Sequence, residues 1–194
     1  RMDSRDKGLV PFRGKPMVAH VIERLAPQVG PLIINANRSL DEYGAFGYPV
    51  ISDEVGGFAG PLAGLHAGLR ACTTPYIVSA PCDSPFLPLD IVARLYAALT
   101  DNIAALAVAR TGGFAQPVFT LCTTALLPSL TAFLEGGGRK IDTWYAAHQV
   151  VDVQHAVEVA DVDAQLERRG ADDARIGPVV EALLCERAFL ERHG

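Results

Sequence analysis

Tryptophan and methionine are scarce in this chain, at one and two residues among 194, and long apolar runs are missing altogether. Nothing approaches the ~18 consecutive apolar residues needed to span a bilayer. No positively charged start leads into a signal-type apolar segment. The four cysteines (Cys72, Cys82, Cys122 and Cys185) are widely spaced and form no C-x-x-C pair. That spacing fits neither a zinc site nor a small disulfide scaffold, and it reads as buried free thiols in a reducing cytoplasm. A net charge of -5 argues against a general nucleic-acid binder, whose domain would be basic. Several motifs are also absent. Without G-x-x-x-x-G-K-[ST] there is no usual P-loop, and without G-x-S-x-G or His-x-x-x-His the hydrolase and zinc-protease readings lack their parts. No G-x-G-x-x-G follows a first strand, so nothing supports a dinucleotide oxidoreductase.

What is present is a globular composition, 49% hydrophobic and 20% charged, long enough to bury a real core. Met17, Val18, Val21, Ile22 and Leu25 recur at helical spacing, which predicts a helix over 16–25. PLIINAN and PVISD read as short strands ending in polar residues, and EVGGFAGPLAG as a glycine-rich loop. LAGLHAGLRAC is then a helix with Leu62, Leu65 and Leu69 on one face. PYIVSAPCDSP is an apolar run without alternation, as in a parallel strand covered on both faces. LDIVARLYAAL predicts a helix, AALAVAR and QPVFTLC two strands around a Thr111-Gly112-Gly113 turn. ALLPSLTAFLEGG and RKIDTWYAAH predict helices, QVVDV a strand, DAQLERRG a short helix and PVVEALLCERAFLER a C-terminal amphipathic helix. Strands alternating with helices in this way imply an α/β sandwich with a mainly parallel sheet. The expected organisation is one domain over 1–170, then a linker and terminal helix over 171–194.

In open parallel sheets, ligands bind beyond the carboxyl ends of the strands. Three polar residues fall there: Asn35 after PLII, Asp53 after PVIS and Asp83 after PYIVSAPC. Asp83, held between a buried strand and Ser84-Pro85, is a candidate Mg2+ ligand, since Mg2+ commonly joins one or two carboxylates to substrate phosphates. The competing reading makes it the cap of a helix starting near Pro88. Lys7 and Arg1 are candidate phosphate clamps, or else part of a solvated basic loop. Asn35 carries both a donor and an acceptor and could read a base or ribose edge, or initiate a turn. The five histidines form no constellation, and His66 in LAGLHAGL reads as packing or surface.

RMDSRDKGL, FRGKPMVAHVIERL, INANR, VISDEVGGFAGPLAGLHAGL and PCDSPFLP, in that order and spacing, resemble the molybdenum cofactor guanylyltransferase family. The match is dense from Arg1 to Pro88 and continues more thinly through QPVFTL and GGGRKIDTWY to about Arg168. NANR at Asn35 to Arg38 and C-D-x-P at Cys82 to Pro85 resemble the guanylyltransferase more than its cytidylyl relative, which usually shows D-Q-P. The resemblance implies a Rossmann-like nucleotidyltransferase three-layer sandwich that transfers GMP from GTP to molybdopterin. It also implies an N-terminal strand and glycine-rich loop ahead of Arg1, expected in the natural protein although the sequence begins after them.

Carried over by position, the resemblance implies that Lys7 contacts phosphate, with Arg1 closing the glycine loop. Asn35 and Asp53 would contact the guanosine part, Asp83 would hold Mg2+, and Gly60 and Pro61 would lie in the loop near the nucleotide. Arg139 and Lys140 would meet the pterin substrate's phosphate. One departure falls late: where the family shows N-x-N-T-P-E-E-L, this chain has Val159, Asp161, Val162 and Asp163. Asp161 is there a candidate second acidic group near the metal, or a helix cap. Molybdoenzymes or their chaperones are the implied protein partners, with neither nucleic acid nor membrane. The rival readings are a cytidylyltransferase for the same pterin, a sugar-phosphate nucleotidyltransferase, and a non-catalytic escort that carries the cofactor to molybdoenzymes.

Overall fold

The computed structural model describes residues 6–55 and 60–154 and the backbone of 181–186. Pro11–Phe12 (β1) and Lys15–Pro16 (β2) form a small antiparallel hairpin at its start. The helix α1 follows at Met17–Leu25 and buries Met17, Val18, Val21, Ile22 and Leu25, the stripe that its sequence spacing predicts. Next come β3 (Leu32–Asn35), α2 (Leu40–Gly44), β4 (Val50–Ile51) and α3 (Pro61–Ala71). β5 (Tyr76–Pro81) leads into α4 (Ile91–Asp101), and β6 (Leu106–Thr111) turns directly into β7 (Phe114–Thr123). α5 (Leu127–Glu135), α6 (Ile141–Tyr145), β8 (Val150–Gln154) and β9 (Glu181–Glu186) complete the order.

Seven strands form one sheet in the order β4-β3-β9-β5-β7-β6-β8. β3 and β4 pair in parallel, as do β6 and β8, while β9 and β7 run antiparallel to their neighbours. Five strands (β4, β3, β5, β6 and β8) therefore point the same way, and the sheet is mainly parallel in direction. Their successive side chains divide between two cores, because a strand alternates faces. Ile34, Val78, Ala107 and Leu121 pack with α1 and α4 residues such as Val21, Leu25, Ile91 and Leu95. Ile33, Ile77, Val108 and Cys122 pack on the other side with Leu65, Leu69, Leu130 and Trp144 of α3, α5 and α6. Apolar residues on both faces explain why these strands read as unbroken runs. The three-layer sandwich is thus the product of two cores on one sheet.

The one marked departure from the sequence pattern is β9. PVVEALLCERAFLER predicts a helix, yet residues 181–186 form a strand between β3 and β5, with Leu184 in register with Leu32 and Val78. The short run Ala182-Leu183-Leu184-Cys185 is compatible with either state by periodicity alone, and pairing on both edges decides for the strand. This segment is part of the main sheet rather than an appended helix. DAQLERRG and ADDARIGP lie outside the described residues. Among the cysteines, Cys82 and Cys122 are buried free thiols, whereas Cys72 is disulfide-bonded, against the expectation of four free thiols. No helix among the described residues is long and apolar enough to cross a membrane.

Candidate active site

The parallel direction of β3, β4 and β5 brings their carboxyl ends to one edge of the sheet. Asn35 closes β3 beside Ile51 of β4, and Ile34 and Ala80 both stand in register with Ala182 of the intervening strand. Adjacent strands lie about 4.8 Å apart, so the ends of β3 and β5 are about 10 Å apart. Asn35, Asp53 and Asp83 are thereby gathered at a common rim. Asn35 is buried, and its Nδ2 has no hydrogen-bond partner among the described residues. Asp53 is gripped by Asn37, whose Nδ2 donates to Asp53 Oδ2 at 2.8 Å while its Oδ1 accepts from the Asp53 backbone N–H at 2.9 Å. The other carboxylate oxygen, Asp53 Oδ1, is buried without a partner among the described residues. An unpaired amide donor and an unpaired carboxylate acceptor thus sit on neighbouring strand ends. Buried polar atoms are normally satisfied, so two orphans together mark a place for a polar ligand.

Asp83 follows β5 in a turn that is half-buried and braced from below. Arg24 Nε of α1 donates to the Leu87 carbonyl at 2.6 Å, and Gln28 Nε2 donates to the Pro88 carbonyl at 2.8 Å. Gln28 Oε1 also accepts from the backbone N–H of Val92, which caps α4 from across the chain. The N-cap position of α4 is Asp90. Asp83 is therefore not the cap of α4. One carboxylate in such a rim suits Mg2+, which keeps several waters and needs few protein oxygens. No cluster of three metal-ligating side chains occurs among the described residues.

The Lys7 loop reaches the same rim. Lys7–Leu9 forms a single 3₁₀ turn, closed by Leu9 N–H donating to the Asp6 carbonyl at 3.0 Å. Gly8 is buried so closely that a Cβ there would stand 2.6 Å from both Cys82 Sγ and the Tyr43 hydroxyl. The glycine thus lets the loop lie directly on the residue preceding Asp83, bringing Lys7 to the Asp83 side of the rim. Burial pushes the Cys82 thiol up, with Asp83 and Asp6 adding to the shift, so it is a neutral packing group rather than a nucleophile. Asp6 itself is buried, accepting from the Tyr43 hydroxyl at 2.8 Å and from Arg38 Nε at 3.2 Å. Asp6, Arg38 and Tyr43 were not singled out by the sequence reading. Asp6 and Arg38 stand 32 residues apart, and α2, which carries Tyr43, is too short to show a period.

Gly60 holds φ 63° and ψ -154° at the start of α3, a conformation open in practice only to glycine, with Pro61 at the first helical position. Because α3 descends from β4 toward the start of β5, this helix start also lies at the carboxyl edge. Arg139 turns back on α5, Nη1 donating to the carbonyls of Leu134 at 2.9 Å and Gly138 at 2.6 Å, while Lys140 is exposed at the N-cap of α6. Arg1 and Asp161 lie outside the described residues. His66 belongs elsewhere: with Glu54, Arg70, Thr131 and Glu135 it lines a cleft of 310 Å³ between α3 and α5 that none of the sequence-predicted site residues faces.

The family of the chain follows from its similarity to known proteins. Residues 1–151 match the model of the MobA-like NTP transferase domain. The chain belongs to this family. The "Molybdenum cofactor guanylyltransferase" of Cupriavidus taiwanensis is 54% identical over 158 residues, covering 79% of each chain. The protein of the same name from Ralstonia nicotianae is 47% identical over 186 residues, covering 90% of this chain and 91% of its own. Among solved structures, molybdopterin-guanine dinucleotide biosynthesis protein A from Archaeoglobus fulgidus superposes with a TM-score of 0.63 at 21% identity, over 78% of this chain and 76% of that one. CMP:2-keto-3-deoxy-manno-octonic acid synthetase, solved with CTP, gives the same TM-score at 15% identity over 86% and 91% of the two chains. At such identities these two establish the shared nucleotidyltransferase fold. As a member of the MobA-like NTP transferase family the chain is a nucleotidyltransferase, and the carboxyl rim of β3, β4 and β5 is its candidate active site.

Proposed function

We propose that this chain transfers GMP from GTP to molybdopterin, releasing pyrophosphate, with Mg2+ held at Asp83 and in the cytoplasm. The observation that carries the reading is the pair of orphaned atoms at Asn35 Nδ2 and Asp53 Oδ1. Guanine presents a carbonyl oxygen beside N–H donors, which an amide donor and a carboxylate acceptor on adjacent strand ends complement. Gly60 and Pro61 supply a helix start with no bulky side chain, allowing backbone close to the nucleotide. Lys7, together with Arg1, provides positive charge for the triphosphate on the Asp83 side.

The chemistry asks little of acid–base groups. A phosphate oxygen of molybdopterin is already anionic near neutral pH, so it attacks the α-phosphorus without a base. The new P–O bond forms there as the bond to the bridging oxygen of the β-phosphate breaks, and pyrophosphate leaves with that electron pair. What the chain contributes is orientation and charge neutralisation. Mg2+, when bound, offsets charge on the phosphates, with Asp83 and Asp161 as its protein oxygens. Lys7 and Arg1 hold the triphosphate, Asn35 and Asp53 the base, and Lys140 with Arg139 meets the phosphate end of the pterin. The missing histidine constellation is consistent with such a reaction.

The test is titration of the full-length protein with GTP and CTP in Mg2+, followed by pyrophosphate release on adding molybdopterin. GTP is expected to bind in preference, and Asp83→Ala to lower kcat by about a hundredfold or more, as for the loss of an electrostatic centre at the reacting phosphates. Preference for CTP would make the chain a cytidylyltransferase. Tight pterin binding without turnover of either nucleotide would make it an escort for the cofactor.

A further inference from the structure

Asp6 is the most deeply buried carboxylate at the rim, with its side chain 2% exposed, yet its position is beneath the candidate substrate site rather than in it. Keeping a carboxylate out of water is unfavourable unless its oxygens are well paired. Here both are engaged: Oδ1 accepts from the Tyr43 hydroxyl at 2.8 Å, and Oδ2 from Arg38 Nε at 3.2 Å. Burial, reinforced by Cys82 and Asp6, raises the Tyr43 phenol far above its ordinary range, so it remains a donor at any working pH. The two partners come from the segment after β3. Arg38 is three residues beyond Asn35 and directly follows Asn37, the residue that grips Asp53. On the other side, the Asp6 carbonyl closes the 3₁₀ turn that begins at Lys7. Gly8 of the same turn rests on Cys82 and on the Tyr43 hydroxyl.

One carboxylate therefore links the base-facing strand end, the cationic loop and the turn carrying Asp83. We propose that Asp6 is a positioning residue that fixes the Lys7 loop against β3 and β5, so that Lys7 meets the triphosphate of a nucleotide whose base is held at Asn35 and Asp53. This rests on the guanylyl-transfer reading and deepens it, since it assigns a cause to the placement of Lys7. Asp6 touches neither substrate nor metal. Its effect passes through Lys7 alone, and it is confined to ligands that carry the outer phosphates. A plain packing role would show no such restriction.

The experiment measures dissociation constants of GTP, GDP and GMP in Mg2+, together with kcat and KM, for the full-length protein and its Asp6→Asn, Lys7→Ala and double variants. In Asp6→Asn the amide nitrogen faces Arg38 Nε donor to donor, or else the Tyr43 hydroxyl loses its acceptor, with almost no change in volume. The expected result is about a tenfold weaker GTP affinity and a similar or larger fall in kcat, with GMP affinity unchanged within about twofold. The double variant is expected to be no worse than Lys7→Ala, as for two residues acting through one contact. Tyr43→Phe removes only one hydroxyl, and it is expected to give the same phosphate-dependent pattern if Asp6→Asn does not fold. Equal losses for GMP and GTP, additive losses in the double variant, or a lower Tm with unchanged kcat would each overturn the proposal. Failure of the unsubstituted protein to bind GTP overturns the guanylyl-transfer reading itself, and is recognised because it precedes any substitution.

Discussion

A single methyl group added at Gly8 has nowhere to go. Its nearest neighbours would be Cys82 Sγ and the Tyr43 hydroxyl at 2.6 Å, and neither is the free end of a flexible side chain. Cys82 is buried on a strand end, and Tyr43 is held by its bond to Asp6. Gly8→Ala is therefore expected to destabilise the fold by ~1–3 kcal/mol, the usual range for overpacking, read as a lower urea midpoint. It should also weaken GTP binding more than GMP binding, because the loop that yields carries Lys7. A variant as stable as the unsubstituted protein would show that the loop does not rest on β5. At this scale the candidate site was half legible. Asn35, Asp53 and Asp83 could be picked out because a polar residue after an apolar run marks a strand end. Asp6 could not, since its meaning lies in contacts with Arg38 and Tyr43 that no local pattern announces.

Among the elements, the start of α3 is the most constrained. Gly60 combines positive φ with a nearly extended ψ, and a side chain there costs about 1–3 kcal/mol. Because no described residue comes within 4 Å of a Cβ at the position, the penalty of Gly60→Ala is one of backbone conformation rather than collision. The variant is expected to lose about that much stability and to raise KM for GTP, while Gly44→Ala, where the space is also open and φ is not positive, should change neither. Equal behaviour of the two variants in thermal unfolding would remove the argument. Helices and strands with a full period were legible at this scale. Met17–Leu25 shows its buried stripe in the sequence, and the buried runs of β3 and β5 announce themselves by lack of alternation. α2 escapes notice because five residues span little more than one turn. β9 is not legible in the sequence because its pairing partners, β3 and β5, are a hundred residues or more away, and a four-residue apolar run carries no period of its own.

For the whole molecule, buried titratable groups make stability fall at both ends of the pH scale. His66 is buried between α3 and α5, where Thr131 Oγ1 donates to the Leu127 carbonyl at 2.9 Å and must therefore accept from His66 Nε2–H at 3.0 Å. That leaves Nδ1 bare, buried and without a partner among the described residues, the neutral form of the ring. Burial, helped by the Arg70 charge, pulls its pKa below the ordinary 6.5, against weaker opposing pulls from Glu54 and Glu135. A depressed histidine contributes stability that is present above the unfolded value and is lost as pH falls through the folded one. Burial pushes the Cys122 thiol from 9.0 up to about 12, and Cys82 and Tyr43 move the same way. Raised groups of this kind contribute stability that is complete below the unfolded pKa and disappears as pH rises through the folded one. The two signs together predict a plateau in unfolding free energy between roughly pH 6.5 and 9, falling on both sides. Urea midpoints measured across pH 5 to 11 test this by way of two variants. His66→Gln, which can still donate to Thr131, should flatten the acid limb and leave the alkaline limb intact. Cys122→Ala should do the reverse, with a lower plateau because a small void is left in the core. If both variants track the unsubstituted protein on both limbs, the buried imidazole and thiol are not what limits stability at either end of the pH range.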